Sequence, residues 1–354
     1  MGGKASSFIA GLLVGVALTA GVAAAVARLA ASNSPAPIRQ QSSYEGEEIR
    51  SRSLRLGHGL TTDHPVHLGL VRFAELVGER SDGRITIRIF PNGELGAETT
   101  MIEQLQSGTL DIAKASAAPI GSFAPDFAVF SVPYAFRSSE HCWAVLDGPI
   151  GREILDSLSS RGLHGLTYFD AGARSFYTVG EPILTPGDVE GLKVRVMESR
   201  TAMDMVEAFG GSPTPMSYAE LYSALQSRLV DAAENNPPSF LNSRHYEVAK
   251  HFTLNEHSRV PDVLMVSRRT WDDLSGVERA IFEEAAAEAS VYERRLWAER
   301  TAAALEEVRA LGVTVHDVQR APFAAAVAEL RASYDGRIGE LLERIDGVSV
   351  DADG

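Results

Sequence analysis

After Ser275-Gly-Val-Glu278, which has the spacing of a helix capping box, no proline or glycine interrupts the chain until Gly312. At a 1.5 Å rise, a helix of roughly 35 residues is about 50 Å long. That is longer than one small domain is wide, so the helix is expected to lie across two lobes. The length of 354 residues agrees with this. At roughly 150 residues per domain it allows about two domains, and either could bury a core without metal or disulfide staples.

The rest of the chain reads as alternating strands and helices. Leu54–His58 forms a short strand, and Asp63 is a plausible N-cap for a helix carrying Val66, Leu70, Phe73 and Val77 on one face. Ser81-Asp-Gly83 turns the chain into a strand in which Ile85, Ile87 and Ile89 alternate, ending at Pro91-Asn-Gly93. Further strands are expected at 112–117, 163–169, 192–197, 230–233, 260–267 and 313–315. Helices are expected at 99–107, 201–209 and 218–227, with a final Ala-rich helix from Pro322 to Ile345. Gly210 to Pro215 reads as a break, and Glu234 to Pro238 as a polar loop. Strands separated by helix-length segments imply α/β layering with parallel strand pairs.

Charge and cysteine content exclude several function classes. The net charge is −14, and residues 1–44 hold Lys4, Arg28 and Arg39 with no acid, so the remainder is more acidic still. Such a body repels phosphate backbones, and no basic run interleaved with aromatics appears, so no nucleic-acid partner is expected. The single Cys142 rules out an intramolecular disulfide and a cysteine metal cluster. Between His141 and Trp143 in an apolar helix, it reads as a buried bystander.

The amino terminus has the form of a secretory signal: Lys4, an apolar stretch from Phe8 to Ala27 broken only by Thr19, and an Ala-rich exit. Twenty apolar residues also suffice to span a bilayer, which makes an uncleaved anchor the alternative. The mature chain is expected to begin near Ala31 and to be exported, with the Pro/Ser-rich residues 32–50 as a flexible tether.

The sequence lacks GxSxG, HExxH, GxxxxGK[ST] and a post-strand GxGxxG. His64 and His67 lie three apart on a helix start, where solvent exposure is expected, and Asp351-Ala-Asp353 reads as an acidic tail. The cations at strands are more informative. Arg174 follows Asp170-Ala-Gly-Ala173 just beyond a strand, Lys114 sits inside the apolar run Leu110–Ala118, and Arg195 lies between Val194 and Val196. An arginine so flanked points away from its apolar neighbours. Facing a cleft, its fork suits bidentate capture of a carboxylate, and facing outward it is a surface arginine.

These segments resemble the solute-binding proteins of the tripartite ATP-independent periplasmic (TRAP) transporters, the DctP-type family. The resemblance is carried by Leu56-Gly-His-Gly with Asp63-His-Pro65, by Phe90-Pro-Asn-Gly-Glu-Leu-Gly96 and by Leu105-Gln-Ser-Gly-Thr-Leu-Asp111. It continues through Pro133-Tyr-Ala-Phe136, Gly191-Leu-Lys-Val-Arg-Val196, Pro213-Thr-Pro-Met216 and Val230-Asp-Ala-Ala-Glu-Asn-Asn-Pro237. It implies an α/β, two-lobed periplasmic-binding-protein-like fold with crossing hinge strands and a long bridging C-terminal helix. On this reading residues 51–171 and 261–300 form one lobe, 172–260 and 301–346 the other, and 276–311 the bridge.

The resemblance further implies that Arg195 holds a ligand carboxylate, with Arg174 as a second arginine and Asn235 as a further contact. Asp170-Ala-Gly-Ala-Arg-Ser-Phe-Tyr177, Ser243-Arg-His-Tyr-Glu-Val248, Val260-Pro-Asp-Val263 and the altered Glu234–Pro238 loop are similar to the branch that binds hexuronates and related sugar acids. Lys114, His58 and Glu98 are then expected to read the sugar hydroxyls, with Asp170 and Asn236 in support. The implied protein is a monomeric, non-enzymatic binder without a cofactor that closes on a sugar acid and delivers it to a membrane permease. A C4-dicarboxylate or 2-oxo acid is the alternative ligand, and a periplasmic lyase or hydrolase acting on acidic sugars the alternative class.

Overall fold

The computed structural model describes residues 48–350. The expected leader, most of the tether and the acidic tail lie outside the described residues. Eleven strands are found among the described residues: β1 (Arg52–Gly57), β2 (Ile85–Phe90), β3 (Ile112–Ser116), β4 (Leu163–Phe169), β5 (Arg174–Thr178), β6 (Lys193–Val196), β7 (Ser212–Pro215), β8 (Ala232–Asn235), β9 (His251–Ser258), β10 (Asp262–Ser267) and β11 (Thr314–His316). They form two sheets, ordered β2-β1-β3-β10-β4 and β11-β9-β5-β8-β6-β7.

In the first sheet β1 pairs in parallel with β2 and β3, while β10 runs antiparallel to β3 and β4. The edge strand β2 keeps the period-2 alternation seen in the sequence, whereas β3 and β10 are buried at every position, as central strands covered on both faces must be. In the second sheet β5 lies antiparallel between β8 and β9, and β6 is parallel to β7 and β8.

Two strand-to-strand crossings link the sheets, from β4 to β5 and back from β9 to β10, and the long helix makes a further one, from β10 to β11. The strand crossings lie side by side: Phe169 is opposite Asp262 on one side and Arg174 opposite Ser258 on the other. Gly172, inside the first crossing, has φ +58°, and a Cβ there would come within 2.8 Å of Trp297 Nε1. Only glycine meets both demands without strain.

The long helix spans Gly276–Ala310, and its capping box joins Ser275 and Glu278 as the sequence predicts. Its first two thirds pack Ile281, Phe282, Ala285 and Trp297 into the core of the first sheet, with Leu56, Phe73 and Phe169. Near its end Val308 enters the core of the second sheet, with Tyr177, Phe240 and Phe252. Two lobes are thus linked by crossing strands and one long helix.

Several expectations are corrected. The Ala-rich segment after Pro322 is not one helix but three: Arg320–Ala326, Ala328–Ser333 and Gly336–Asp346. Val327, with φ −109° and ψ 9°, separates the first two, and an extended Tyr334 with a left-handed Gly336 (φ +53°) separates the last two. Its last piece buries Leu341, Leu342 and Ile345 in the first lobe's core with Phe127, Phe130 and Ile154, away from the second-lobe position expected for 301–346. Ser212–Pro215 is not a break but the edge strand β7, a position that tolerates Pro213 and Pro215 because an outward edge needs no donor. The helix Pro65–Arg80 is capped by His64 rather than Asp63, with Nδ1 accepting from Val66 N at 3.3 Å.

Candidate functional site

A cavity of about 300 Å³ lies between the lobes. Leu60, His64, Glu98, Lys114, Ser116 and Asp262 line it from the first lobe, and Arg174, Arg195, Met216, Tyr218, Asn235 and Asn236 from the second. Six of the eight residues singled out in the sequence therefore meet here: Arg195, Arg174, Asn235, Asn236, Lys114 and Glu98.

Arg195 projects from β6 while Val194 and Val196 enter the second lobe's core, so the strand alternation aims the guanidinium at the cavity. It is 2% exposed. Nε and Nη2 donate to Met216 O at 3.1 and 2.8 Å, and the group lies over the Tyr218 ring at 5.9 Å. Nη1 is buried and has no hydrogen-bond partner among the described residues, nor does any carboxylate there form an ion pair with this arginine. Burial, aided by the nearby Arg174, draws its pKa below the usual guanidinium value.

Arg174, the first residue of β5, is equally buried but fully engaged. Nε and Nη2 bond the Glu234 carboxylate, Nη2 also reaches Glu234 O at 2.8 Å, and Nη1 donates to Asn235 Oδ1 at 3.0 Å. Burial alone would raise the Glu234 pKa, but Arg174 and His257 pull it down to about 2. Asn235 Oδ1 also accepts from Asn236 N at 2.9 Å, which leaves the Asn235 amide NH₂ as its free donor. Asn236 caps the helix Pro237–Asn242 by accepting from Ser239 N at 2.8 Å. The polar loop that was expected shrinks to Asn236 alone: β8 starts two residues later and runs through Asn235, and the helix follows at Pro237.

Lys114 is held between two carboxylates, with Nζ 2.9 Å from Asp262 Oδ1 and 3.1 Å from Glu98 Oε1. Glu98 Oε1 also accepts from Ser116 N at 3.1 Å. Burial would lower the Lys114 pKa, but Asp262 and Glu98 overcome it and raise it. For Asp262 burial wins, and its carboxyl is pushed up to about 6 despite Lys114.

His58 and Asp170 are not among the residues lining the cavity. His58 is fully buried: Nδ1 accepts from Leu60 N at 3.1 Å and Nε2 meets His67 Nδ1 at 2.9 Å, so its ring shapes the loop behind the wall. Asp170 turns into the crossing segment, accepting from Gly172 N at 2.7 Å and Trp143 Nε1 at 3.2 Å. Nor is His64 exposed, as its helix-start position suggested. It is 2% exposed, and its Nε2 lies 3.1 Å from Ser239 Oγ of the other lobe. Burial, then Lys114, pulls the His64 pKa down to about 3, so the ring is neutral and Nε2 donates. Cys142 is buried, and burial pushes its thiol pKa up, in keeping with an inert side chain.

The sequence reading assigned no role to Asp262, Glu234, Tyr218 or Glu198. Asp262 was visible as an acid opening the apolar strand 260–267, and Glu234 as the acid beside Asn235. Tyr218 and Glu198 gave no signal, because their place depends on the fold of the opposite wall. Thr99 Oγ1 of the first lobe donates to Glu198 Oε2 of the second at 3.3 Å, beside the cavity.

Two lobes on crossing strands around a polar cavity, with one cation that has no anionic partner among the described residues, define a protein that captures a small anionic solute. The chain belongs to the DctP family, bacterial extracellular solute-binding protein family 7, whose model matches residues 56–336. A solute-binding protein of Chromohalobacter salexigens is 38% identical over 277 residues, 78% of this chain and 82% of its own length. The crystal structure of a TRAP periplasmic solute-binding protein from a Bradyrhizobium species, with bound galacturonate, is 39% identical with a TM-score of 0.82, covering 84% of this chain and 100% of that one. One from Pseudomonas putida F1, with bound D-glucuronate, is 34% identical with a TM-score of 0.82, covering 85% and 98%. The chain is accordingly a periplasmic binding protein, not an enzyme.

Proposed function

We propose that this protein captures a hexuronate, galacturonate or glucuronate, between its lobes and delivers it to the membrane permease of a TRAP transporter. The observation that carries the reading is Arg195. Of the three cations among the described residues lining the cavity, Arg174 is neutralised by Glu234 and Lys114 by Glu98 and Asp262, while Arg195 has no described anionic partner. A buried cation without a counter-charge is costly, and a ligand carboxylate on Nη1 and Nη2 removes that cost.

The remaining polar groups suit a ring of hydroxyls. The second oxygens of Glu98 and Asp262 accept, and the Asn235 amide donates. The volume lies at the lower end of the range for small-molecule sites, as suits one sugar ring. Hexuronates bound to relatives 34–39% identical support the same assignment. Ligand bridging both walls would favour the closed form by its differential affinity.

Calorimetric titration of the protein purified from the periplasm, with galacturonate, glucuronate, succinate and pyruvate, tests the reading. Tight binding of a uronate without its turnover is expected. A preference for succinate or pyruvate would replace the ligand, and consumption of the uronate would replace the class.

A further inference from the structure

Lys114 is a second buried cation in the cavity wall, placed where a ligand with two carboxylates could use it. The chain has occupied it from two directions. Asp262 reaches it from β10, in whose register with β3 Asp262 stands opposite Ser116, two residues beyond Lys114 and so on the same face. Glu98 reaches it from the first turn of the helix Glu98–Ser107 and is itself fixed by Ser116 N. Two of the three ammonium donors are thus spent on carboxylates, and the cluster is more acidic than basic. Glu198, lining the cavity from the other lobe, adds a third carboxylate with no cationic partner among the described residues.

We infer that Glu98 and Asp262, by occupying Lys114, restrict this cavity to sugar acids with one carboxylate and reject dianions of the same size, such as aldarates. The inference rests on the uronate reading above, since it takes the single carboxylate to sit on Arg195. A hydroxyl at the far end of such a ligand donates to the free oxygens of Glu98 and Asp262. A carboxylate there cannot donate, is stripped of water, and faces like charges across a few ångströms in a site of low dielectric. Discrimination therefore comes from repulsion built into the wall as much as from attraction to the favoured ligand.

Galactonate and galactarate isolate the effect, because these open-chain acids differ only in the terminal group, CH₂OH against COO⁻. Titration calorimetry at pH 7.5 with both, and with galacturonate as reference, should show galactarate at least 100-fold weaker than galactonate. In Glu98→Gln, which frees Lys114 while keeping an amide oxygen for Ser116 N, the ratio should fall at least 10-fold, chiefly through tighter galactarate binding. Asp262→Asn provides the same reading should Glu98→Gln not fold, as judged by its unliganded melting temperature. Equal affinities in the unsubstituted protein, or a ratio unmoved in the folded variant, would overturn the inference and leave the uronate reading intact. If neither galacturonate nor galactonate binds, the uronate reading fails and takes the inference with it.

Discussion

Replacing Arg195 tests the binding reading most directly. Arg195→Ala removes the only cavity cation without a described anionic partner. Truncating one side of a buried charge pair costs about 2–5 kcal/mol, so uronate affinity should fall roughly 30-fold to several thousand-fold. In the unliganded protein two terms oppose. Met216 O loses its donors Nε and Nη2, a loss of about 1–3 kcal/mol for a buried carbonyl, and the half-buried position of Met216 favours the low end. Against this, a buried guanidinium without a counter-ion is removed, which relieves a desolvation cost of similar or greater size. The unliganded melting temperature should therefore move little while the ligand-induced rise collapses. Arg195→Lys keeps the charge but not the fork, and should fall between. Calorimetric titration and thermal unfolding of the three proteins decide the matter. Unchanged affinity in Arg195→Ala removes Arg195 from the site. A large loss of unliganded stability instead makes it a structural arginine.

Arg174→Ala should show the opposite pattern, since it strands the buried Glu234 carboxylate: a loss of about 3–5 kcal/mol in urea unfolding of the empty protein, refuted by a change below about 1 kcal/mol. Stability should fall as pH drops from 6.5 towards 5. His58, His64 and His245 are held neutral by burial with pKa values pulled to about 2, 3 and 3, so the unfolded chain takes up protons that the folded chain refuses. Each costs up to about 1.4 kcal/mol per pH unit in that window, and His164, half-buried and pulled to about 4, acts in the same sense, whereas Asp170, Asp262 and Glu293, all raised by burial, act in the opposite sense and are outnumbered. Urea unfolding at pH 7 and pH 5 checks the sign, and equal or greater stability at pH 5 refutes it. Small-angle scattering should show a smaller radius of gyration with saturating uronate, and Glu198→Ala, which removes the acceptor for Thr99, should reduce the closed fraction without removing a ligand contact of Arg195. No contraction at saturation would refute closure.

Much of the scaffold was legible because its signals are local. The long helix was marked by its cap and by the absence of breakers, and β1 and β2 by short-range alternation and turn residues. β9 was not found. Its run His251–Ser258 alternates poorly because polar residues are buried on it and paired with other segments: Asn255 Oδ1 accepts from Phe176 N, and His257 Nε2 lies 3.4 Å from Glu234 Oε2. The split of the last helix escaped for a different reason, since helix propensity outweighed single residues set by packing, Val327 in the second lobe and Tyr334 on the first. The cations stood out as charges inside apolar strands, yet nothing local told which of them would be free. Arg174 is neutralised by a carboxylate 60 residues away, and Lys114 by one on a strand reached only after the chain has crossed between sheets twice.

That division of labour among the cations bears on how capture and closure are coupled. A cavity with three free cations would bind any anion and would resist closing when empty, because each charge would lose its water. With Arg174 and Lys114 paired, their desolvation is offset whether or not ligand is present, and they serve as fixed dipoles that orient the sugar. Among the cavity's described cations, Arg195 is the one that keeps an unpartnered buried donor, between lobes already in contact at Thr99–Glu198 and His64–Ser239. The cost of that donor opposes closure of the empty protein, and the ligand carboxylate removes it. If it is worth about 2–5 kcal/mol, its removal shifts an opening equilibrium roughly 30-fold to several thousand-fold, enough to carry a mostly open population to a mostly closed one. One guanidinium then sets both the affinity and the ligand dependence of closure. Arg195→Ala should therefore bind weakly and yet, when empty, be more closed than the unsubstituted protein.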